Sequence, residues 1–255
     1  MEKQPNMQGK KVFFLYPHSV IRDELLDLLI MAGYETYTVL SEKRAKRLLA
    51  EFPDSIIFIN IDEGLKEKEW ETYIKDIQSD PKTENSQIGI LSYNLDRQLM
   101  QKYLMEMAIS CGYIQLKLGI RESTKIILTA LEANEARGRR KYIRADCKDD
   151  INATINFKYE SKIFNGKLLD ISSAGVAALF EQMPDLPANS LLKEVQLKLR
   201  ASLLMTDMIL MGQRHDDKRV GIMLFDPNKL DSDNKLVIHH YIKLCLQKYI
   251  DGLKI

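Results

Sequence analysis

Ile151–Tyr159 reads INATINFKY and Lys162–Ile171 reads KIFNGKLLDI, and these two stretches decide the architecture of the second half of the chain. Both read as strands, and four more candidates follow: Val176–Phe180, Leu192–Leu199, Leu203–Met211 and Arg219–Phe225. No helix-length gap separates them, and Asn165-Gly166 and Pro184–Asn189 supply turn chemistry. Six strands so spaced favour a small antiparallel β-barrel or sandwich, and the barrel is the expected form. A terminal helix follows over Asp233–Ile250, with Leu236, Tyr241, Leu244 and Cys245 on or near one stripe. Met205, Met208, Met211 and Met223 lie in the strands and read as core filler.

The first half has a different period. Lys11–Tyr16 (KVFFLY) is a continuous apolar run, as expected of a strand buried on both faces of a parallel sheet. A helix with Ile21, Leu25, Leu28, Leu29 and Ala32 at helical spacing follows, and Gly33 caps its end. Tyr34–Leu40, Ser55–Ile61, Ile88–Ser92 and Tyr113–Leu116 read as further strands. The helices between them are marked by Ala45, Leu48, Leu49 and Phe52; by Trp70, Tyr73, Ile74 and Ile77; and by Leu99, Tyr103 and Met107, with Glu122–Ala136 closing the series. Five βα units in this order predict a doubly wound, flavodoxin-like domain. The boundary falls near Gly138, giving an α/β domain over residues 1–137 and a β domain over residues 138–255, a comfortable division for 255 residues.

Composition excludes several classes. The hydrophobic content of 45% and charged content of 29% are those of a globular protein. The net charge of +1 says nothing about partners. Before Gly138 there are 18 Lys/Arg against 21 Asp/Glu, and from it onward 19 against 15, too slight an imbalance for a nucleic-acid coat. Five of the basic residues nevertheless fall within Arg137–Arg144. The three cysteines are dispersed, with no CxxC pair, so no zinc site or disulfide framework is expected. No apolar run reaches the ~20 residues of a membrane span, and the first ten residues lack a secretory apolar stretch, so a cytoplasmic location is expected. His215 stands alone, and the adjacent His239 and His240 sit about 100° apart on a helix. No Gly-rich phosphate loop, GxSxG or HExxH is present, so no enzymatic activity, no catalytic residue and no metal site are expected.

The informative pair of motifs is Arg139-Arg140-Lys141-Tyr142-Ile143-Arg144 and Asp170-Ile171-Ser172-Ser173-Ala174-Gly175. They resemble the two signatures of the PilZ family, RxxxR (Arg140, Arg144) and D/NxSxxG (Asp170, Ser172, Gly175). Arg219–Phe225 is similar to that family's late apolar strand, and the likeness covers roughly residues 138–250. The resemblance implies cyclic di-GMP as ligand, held by Arg139, Arg140, Arg144, Asp170, Ser172 and Gly175. Arg139, directly before RxxxR, implies two intercalated ligands in the site.

The chemistry suits such a ligand. A guanidinium fork matches phosphate oxygens or the O6/N7 edge of guanine, and its face stacks on a purine. Arg140 and Arg144 span about 13 Å in an extended linker, enough to grip two sides of one ligand, and on a helix they would sit one turn apart on the same face. Asp170 and Ser172, two residues apart, share one face of a strand, where a carboxylate accepts from guanine N–H groups and a hydroxyl bonds a second polar group. Gly175 allows positive φ or close backbone approach. The expected function is therefore an effector in which ligand binding orders the linker and changes domain arrangement or partner binding. The protein partner is unidentified, and a homodimer is one expectation. A ligand-independent PilZ-like adaptor, with the first domain as dimeriser, is the alternative. A nucleic-acid role is not expected, because neither an aromatic platform nor a recognition helix accompanies the basic run.

The first half resembles a response-regulator receiver domain over residues 10–136. Ser92 after the fourth strand, and Lys117 after the fifth, match that pattern. The metal-holding acidic pair is replaced by Tyr16-Pro17-His18, and Ile59 or Asn60 stands where the phospho-acceptor Asp belongs, so phosphorylation is not expected. Asp62 would serve only if the third strand shifted by two or three residues.

Overall fold

The computed structural model describes residues 9–19 and 21–255. They form two compact units, one comprising residues up to Lys141 together with Tyr249–Ile255, the other Tyr142–Lys248.

The first unit is a five-stranded sheet: β1 (Lys11–Leu15), β2 (Glu35–Val39), β3 (Ile56–Asn60), β4 (Gln87–Ser92) and β5 (Tyr113–Gln115), in the order β2-β1-β3-β4-β5 with every pair parallel. Residues Ile56–Asn60 of β3 are buried without exception, which is why that strand is a continuous apolar run. The helical connections include α1 (Leu26–Met31), entered through a π-helical turn at Ile21–Leu25, then α2 (Glu42–Glu51) and α3 (Glu67–Ser79). They continue through α4 (Arg97–Gln101), prolonged by a π-helical turn at Lys102–Glu106, and α5 (Ile120–Ala133). Alternate strand residues enter opposite layers. Val12, Phe14, Ile56 and Phe58 pack with Leu25, Leu29, Ile127 and Leu131 in one core. Gly33, at φ 90°, ends α1 as expected: its N–H reaches Ile30 O at 3.0 Å and Tyr34 N reaches Leu29 O at 2.9 Å, the paired bonds of a Schellman cap.

The second unit contains β6 (Arg144–Asp146), β7 (Ala153–Tyr159), β8 (Lys162–Ser172), β9 (Gly175–Phe180), β10 (Ser190–Leu199), β11 (Ser202–Gln213) and β12 (Val220–Phe225). Strands β8-β7-β10-β11-β12-β9 follow one another antiparallel, and the β8–β9 pairing closes them into a six-stranded barrel. The helix α6 (Ser232–Gly252) comes last. The barrel core is built from inward residues such as Ile155, Phe157, Leu168, Ile171, Phe180, Leu197 and Met223. Phe157 and Phe180 meet edge-to-face at 5.5 Å.

Three sequence expectations are corrected. Strand β6 is a seventh strand outside the barrel ring, where the sequence reading placed only a linker. Asn165-Gly166 is not a turn: both residues lie inside β8, and the β7–β8 hairpin reverses at Glu160-Ser161, each at positive φ (46° and 67°). Gly166 is needed for another reason, since a Cβ there would come within 2.8 Å of the Phe180 ring. Of the four methionines, Met208 and Met223 are buried, but Met205 and Met211 point outward and are about half exposed.

Candidate functional site

Strand β8 is long enough to serve three neighbours. Lys162–Lys167 pair with β7, and Gly166–Ser172 pair with β9 on the opposite edge. Beyond the end of β7, the freed stretch of that first edge is taken by β6, with Arg144 opposite Ser172, Ala145 opposite Ile171 and Asp146 opposite Asp170. Arg144, the last residue of the first motif, and Ser172 of the second, almost thirty residues apart along the chain, thus share one rung of the ladder.

The local sequence explains the register. Ala145 and Cys147 are buried and alternate with exposed Arg144 and Asp146, a period of two that fixes which face each side chain takes. Cys147 N donates to Leu169 O at 2.8 Å, extending the ladder by one bond. Downstream, the Asp150 carboxylate accepts from Arg200 Nε at 2.9 Å and from Tyr241 Oη on α6 at 3.2 Å. Burial opposes the charge of Asp150, but these donors and the Asn152 N–H outweigh it and hold the carboxyl below its ordinary value. The β6–β7 connection is thereby fastened to the barrel and its helix.

The motif hairpin is equally determined. Ser172 pairs with Gly175 across the two-residue turn Ser173-Ala174. The Ser172 hydroxyl accepts from Ala174 N at 3.3 Å and donates to Gly175 O at 3.2 Å, so it locks the turn. Gly175 is required by close approach, not by positive φ. A Cβ there would lie 2.1 Å from Met223 O and 2.8 Å from Leu224 Cα, both in the backbone of β12. The close backbone approach at Gly175 is that of β12.

Asp170 is half-buried and stands across from exposed Asp146. Lys148 bridges to Asp146 at 3.0 Å; that hydrogen bond, then the charges of Asp146 and Asp170, raise the lysine above its ordinary pKa. Arg144 is exposed at the head of β6. Arg139 and Arg140 are exposed, outside regular structure, in the last residues of the first unit. None of the three arginines donates a hydrogen bond or joins an ion pair among the described residues, so each retains its full set of donors. Sequence reasoning missed Asp146 as a neighbour of Asp170. The alternation Arg144-Ala145-Asp146-Cys147 carried the signal, but it is too short to stand out inside a basic run.

In the first unit, the carboxyl ends of the parallel strands are self-satisfied. Asn60, at the end of β3, is buried and donates to Tyr16 O at 2.9 Å. Asp62 accepts from the Ser92 hydroxyl at 2.5 Å and from Tyr93 N at 2.6 Å. Lys117 is exposed in a short 3-10 turn. Among the described residues no group of three or more His, Cys, Asp or Glu side chains could hold a metal ion, and no helix is long and apolar enough to cross a membrane.

No family model matches the chain, and no curated protein matches it. Solved structures do. The chain is similar to the PilZ domain with c-di-GMP of YcgR from Escherichia coli, at 16% identity and TM-score 0.38, over 45% of this chain and 99% of that one. It is similar to the MrkH–c-di-GMP complex from K. pneumonia at 15% identity and TM-score 0.34, over 41% of this chain, and spans only 50% of that protein. The signal receiver domain of an HD domain-containing protein from Pseudomonas fluorescens Pf-5 matches at 18% identity and TM-score 0.41, over 52% of this chain and 95% of that one.

Proposed function

We propose that this chain is a non-enzymatic effector that binds cyclic di-GMP on the outer face of the barrel, where β6 runs beside the end of β8. The observation that carries the reading is the register itself, Arg144 opposite Ser172 and Asp146 opposite Asp170. It puts the backbone of Arg144, whose guanidinium is uncommitted, one strand spacing, about 5 Å, from the motif hairpin. In this reading Arg144 takes a phosphate or a guanine O6/N7 edge, Asp170 accepts from guanine N1 and N2, and Ser172 with Gly175 holds the hairpin in shape. Arg139 and Arg140 close over the ligand, and Arg139 makes room for a second one. Ordering of that basic segment is the output, felt as a change of domain arrangement or of partner binding.

The receiver-like unit takes no phosphoryl group in this reading. The end of β3 carries Asn60, Tyr16-Pro17-His18 offers no paired carboxylates for a magnesium ion, and Asp62 is engaged by Ser92 and Tyr93. The signal enters through the barrel.

Thermal unfolding with and without ligand tests the proposal. Cyclic di-GMP at a hundred times its Kd stabilises the barrel by about 2.7 kcal/mol, while GMP at equal concentration does not reproduce the shift. An unmoved transition with cyclic di-GMP contradicts it. One observation favours the second reading, a ligand-independent adaptor. The Ser172 hydroxyl and the Gly175 gap are both used within the barrel, so half of the motif has a structural reason to exist.

A further inference from the structure

Beyond the Asp170–Ser172 end, the outer face of β8 continues into a separate groove on the barrel flank. Its volume is ≈ 570 Å³, and its walls include Thr154 and Asn156 of β7, Asn165 and Lys167 of β8, and the apolar side chains of Ile151 and Leu179. The strand register arranges these residues in two rows. Asn156 stands opposite Asn165, and Thr154 stands opposite Lys167, which in turn faces Leu179 on β9. Lys198 of β10 extends the second row past Thr154.

The side chains of Thr154, Asn156, Asn165 and Lys167 make no hydrogen bond among the described residues, and no carboxylate pairs with Lys167 or Lys198 there. This contrasts with the rim, where Arg219 is already held by Asp217 at 2.9 Å. Glu181, also at the groove, is left to accept hydrogen bonds. The two cross-strand side-chain amides, Asn156 and Asn165, offer donors and acceptors of the kind that the edge of a heterocyclic base requires. Ile151 and Leu179 supply apolar surface for the base, and the unpaired Lys167, with Lys198 one strand beyond the groove, supplies positive charge on the side away from the Asn pair. A volume within the roughly 300–1,000 Å³ of small-molecule sites fits a mononucleotide.

We propose that this groove is a second ligand site that takes a purine nucleoside monophosphate, with the base against the Asn156–Asn165 pair and the phosphate on Lys167. The site is independent of the reading given for the motif hairpin, which lies further along β8 and uses none of these residues.

The test is a titration of the nitrogen-15-labelled full chain with GMP and with AMP, up to roughly 10 mM, following the side-chain amide signals of Asn156 and Asn165 by NMR. Saturable shifts of those signals with either nucleotide are expected, with affinity reduced at least about tenfold in Lys167→Ala and in Asn165→Ala. Cyclic di-GMP affinity in Lys167→Ala should stay within about twofold of the parent, and circular dichroism checks that both variants fold. The proposal is overturned if no saturable shift occurs with either nucleotide, or if inorganic phosphate alone reproduces the shifts with equal affinity. Displacement of GMP by cyclic di-GMP, or loss of both ligands in Lys167→Ala, would also overturn it by making the groove part of the dinucleotide site. If cyclic di-GMP fails to bind while GMP still shifts these amides, the motif-hairpin reading fails and this one stands.

Discussion

Replacing Gly175 by Ala adds one methyl group where the structure leaves no room. The new Cβ would sit 2.1 Å from Met223 O and 2.8 Å from Leu224 Cα. Ordinary van der Waals separation is about 3.5 Å, so β9 and β12 must part by more than about 1 Å at this rung. Both obstructing atoms belong to the backbone, and no side-chain rotation relieves the clash. The bond from Phe225 N to Ala174 O, now 2.9 Å, lies beside the insertion and lengthens with it. Overpacking of this kind costs about 1–3 kcal/mol, and breaking a ladder bond adds about 1 kcal/mol, for a total of roughly 2–4 kcal/mol. At about 4 °C per kcal/mol for a domain of this size, the calorimetric transition of the barrel falls by roughly 8–16 °C. An unchanged transition temperature would refute the packing argument. If the variant melted normally and yet did not bind cyclic di-GMP, the space beside Gly175 would belong to the ligand, not to β12.

Three further outcomes follow from particular interactions. Asp150→Asn weakens the pairing with Arg200, at a cost of about 1–3 kcal/mol near pH 7. Because the folded carboxyl titrates below its ordinary value of about 3.9, its contribution is complete above about pH 4 and is lost as pH falls further. Urea midpoints of parent and variant should therefore converge toward pH 3, and an equal gap at pH 7 and pH 3 would contradict this. Glu160→Asn with Ser161→Gly places residues suited to positive φ in the β7–β8 turn, and the barrel should gain about 0.5–1 kcal/mol in chemical denaturation; a decrease would mean that the turn is misread. Acetyl phosphate with magnesium should leave the mass of the chain unchanged, whereas incorporation at Asp62 would show that the Ser92 and Tyr93 bonds open to admit a phosphoryl group.

The parallel unit was legible because its signals are long and physically redundant. A strand buried on both faces must be apolar throughout, as Ile56–Ile59 are, and Gly33 marks a helix end that needs a left-handed residue. The six barrel strands were legible from their close spacing, with no helix-length gap between them. What escaped was decided by tertiary packing. Asn165-Gly166 is a strong turn dipeptide on local grounds, but it lies mid-strand because Gly166 must pass over the Phe180 ring. Strand β6 has only three residues, too few for a period to declare itself, and it exists because β7 ends early and leaves an edge of β8 unpaired. The two motifs stand out along the chain, but the packing of their residues does not. Only the folded chain shows the Ser172 hydroxyl closing a turn and Gly175 yielding space to β12.

Isothermal titration calorimetry of cyclic di-GMP against the parent chain and the Arg140→Ala, Arg144→Ala double variant tests the central claim most directly. The two side chains are exposed, so their removal should leave stability within about 0.5 kcal/mol. Each charge-assisted hydrogen bond removed from the complex costs about 1.5–3 kcal/mol, so the Kd should rise at least about a hundredfold in the double variant. Absence of binding heat with the parent, or equal affinity in parent and variant, would contradict the account.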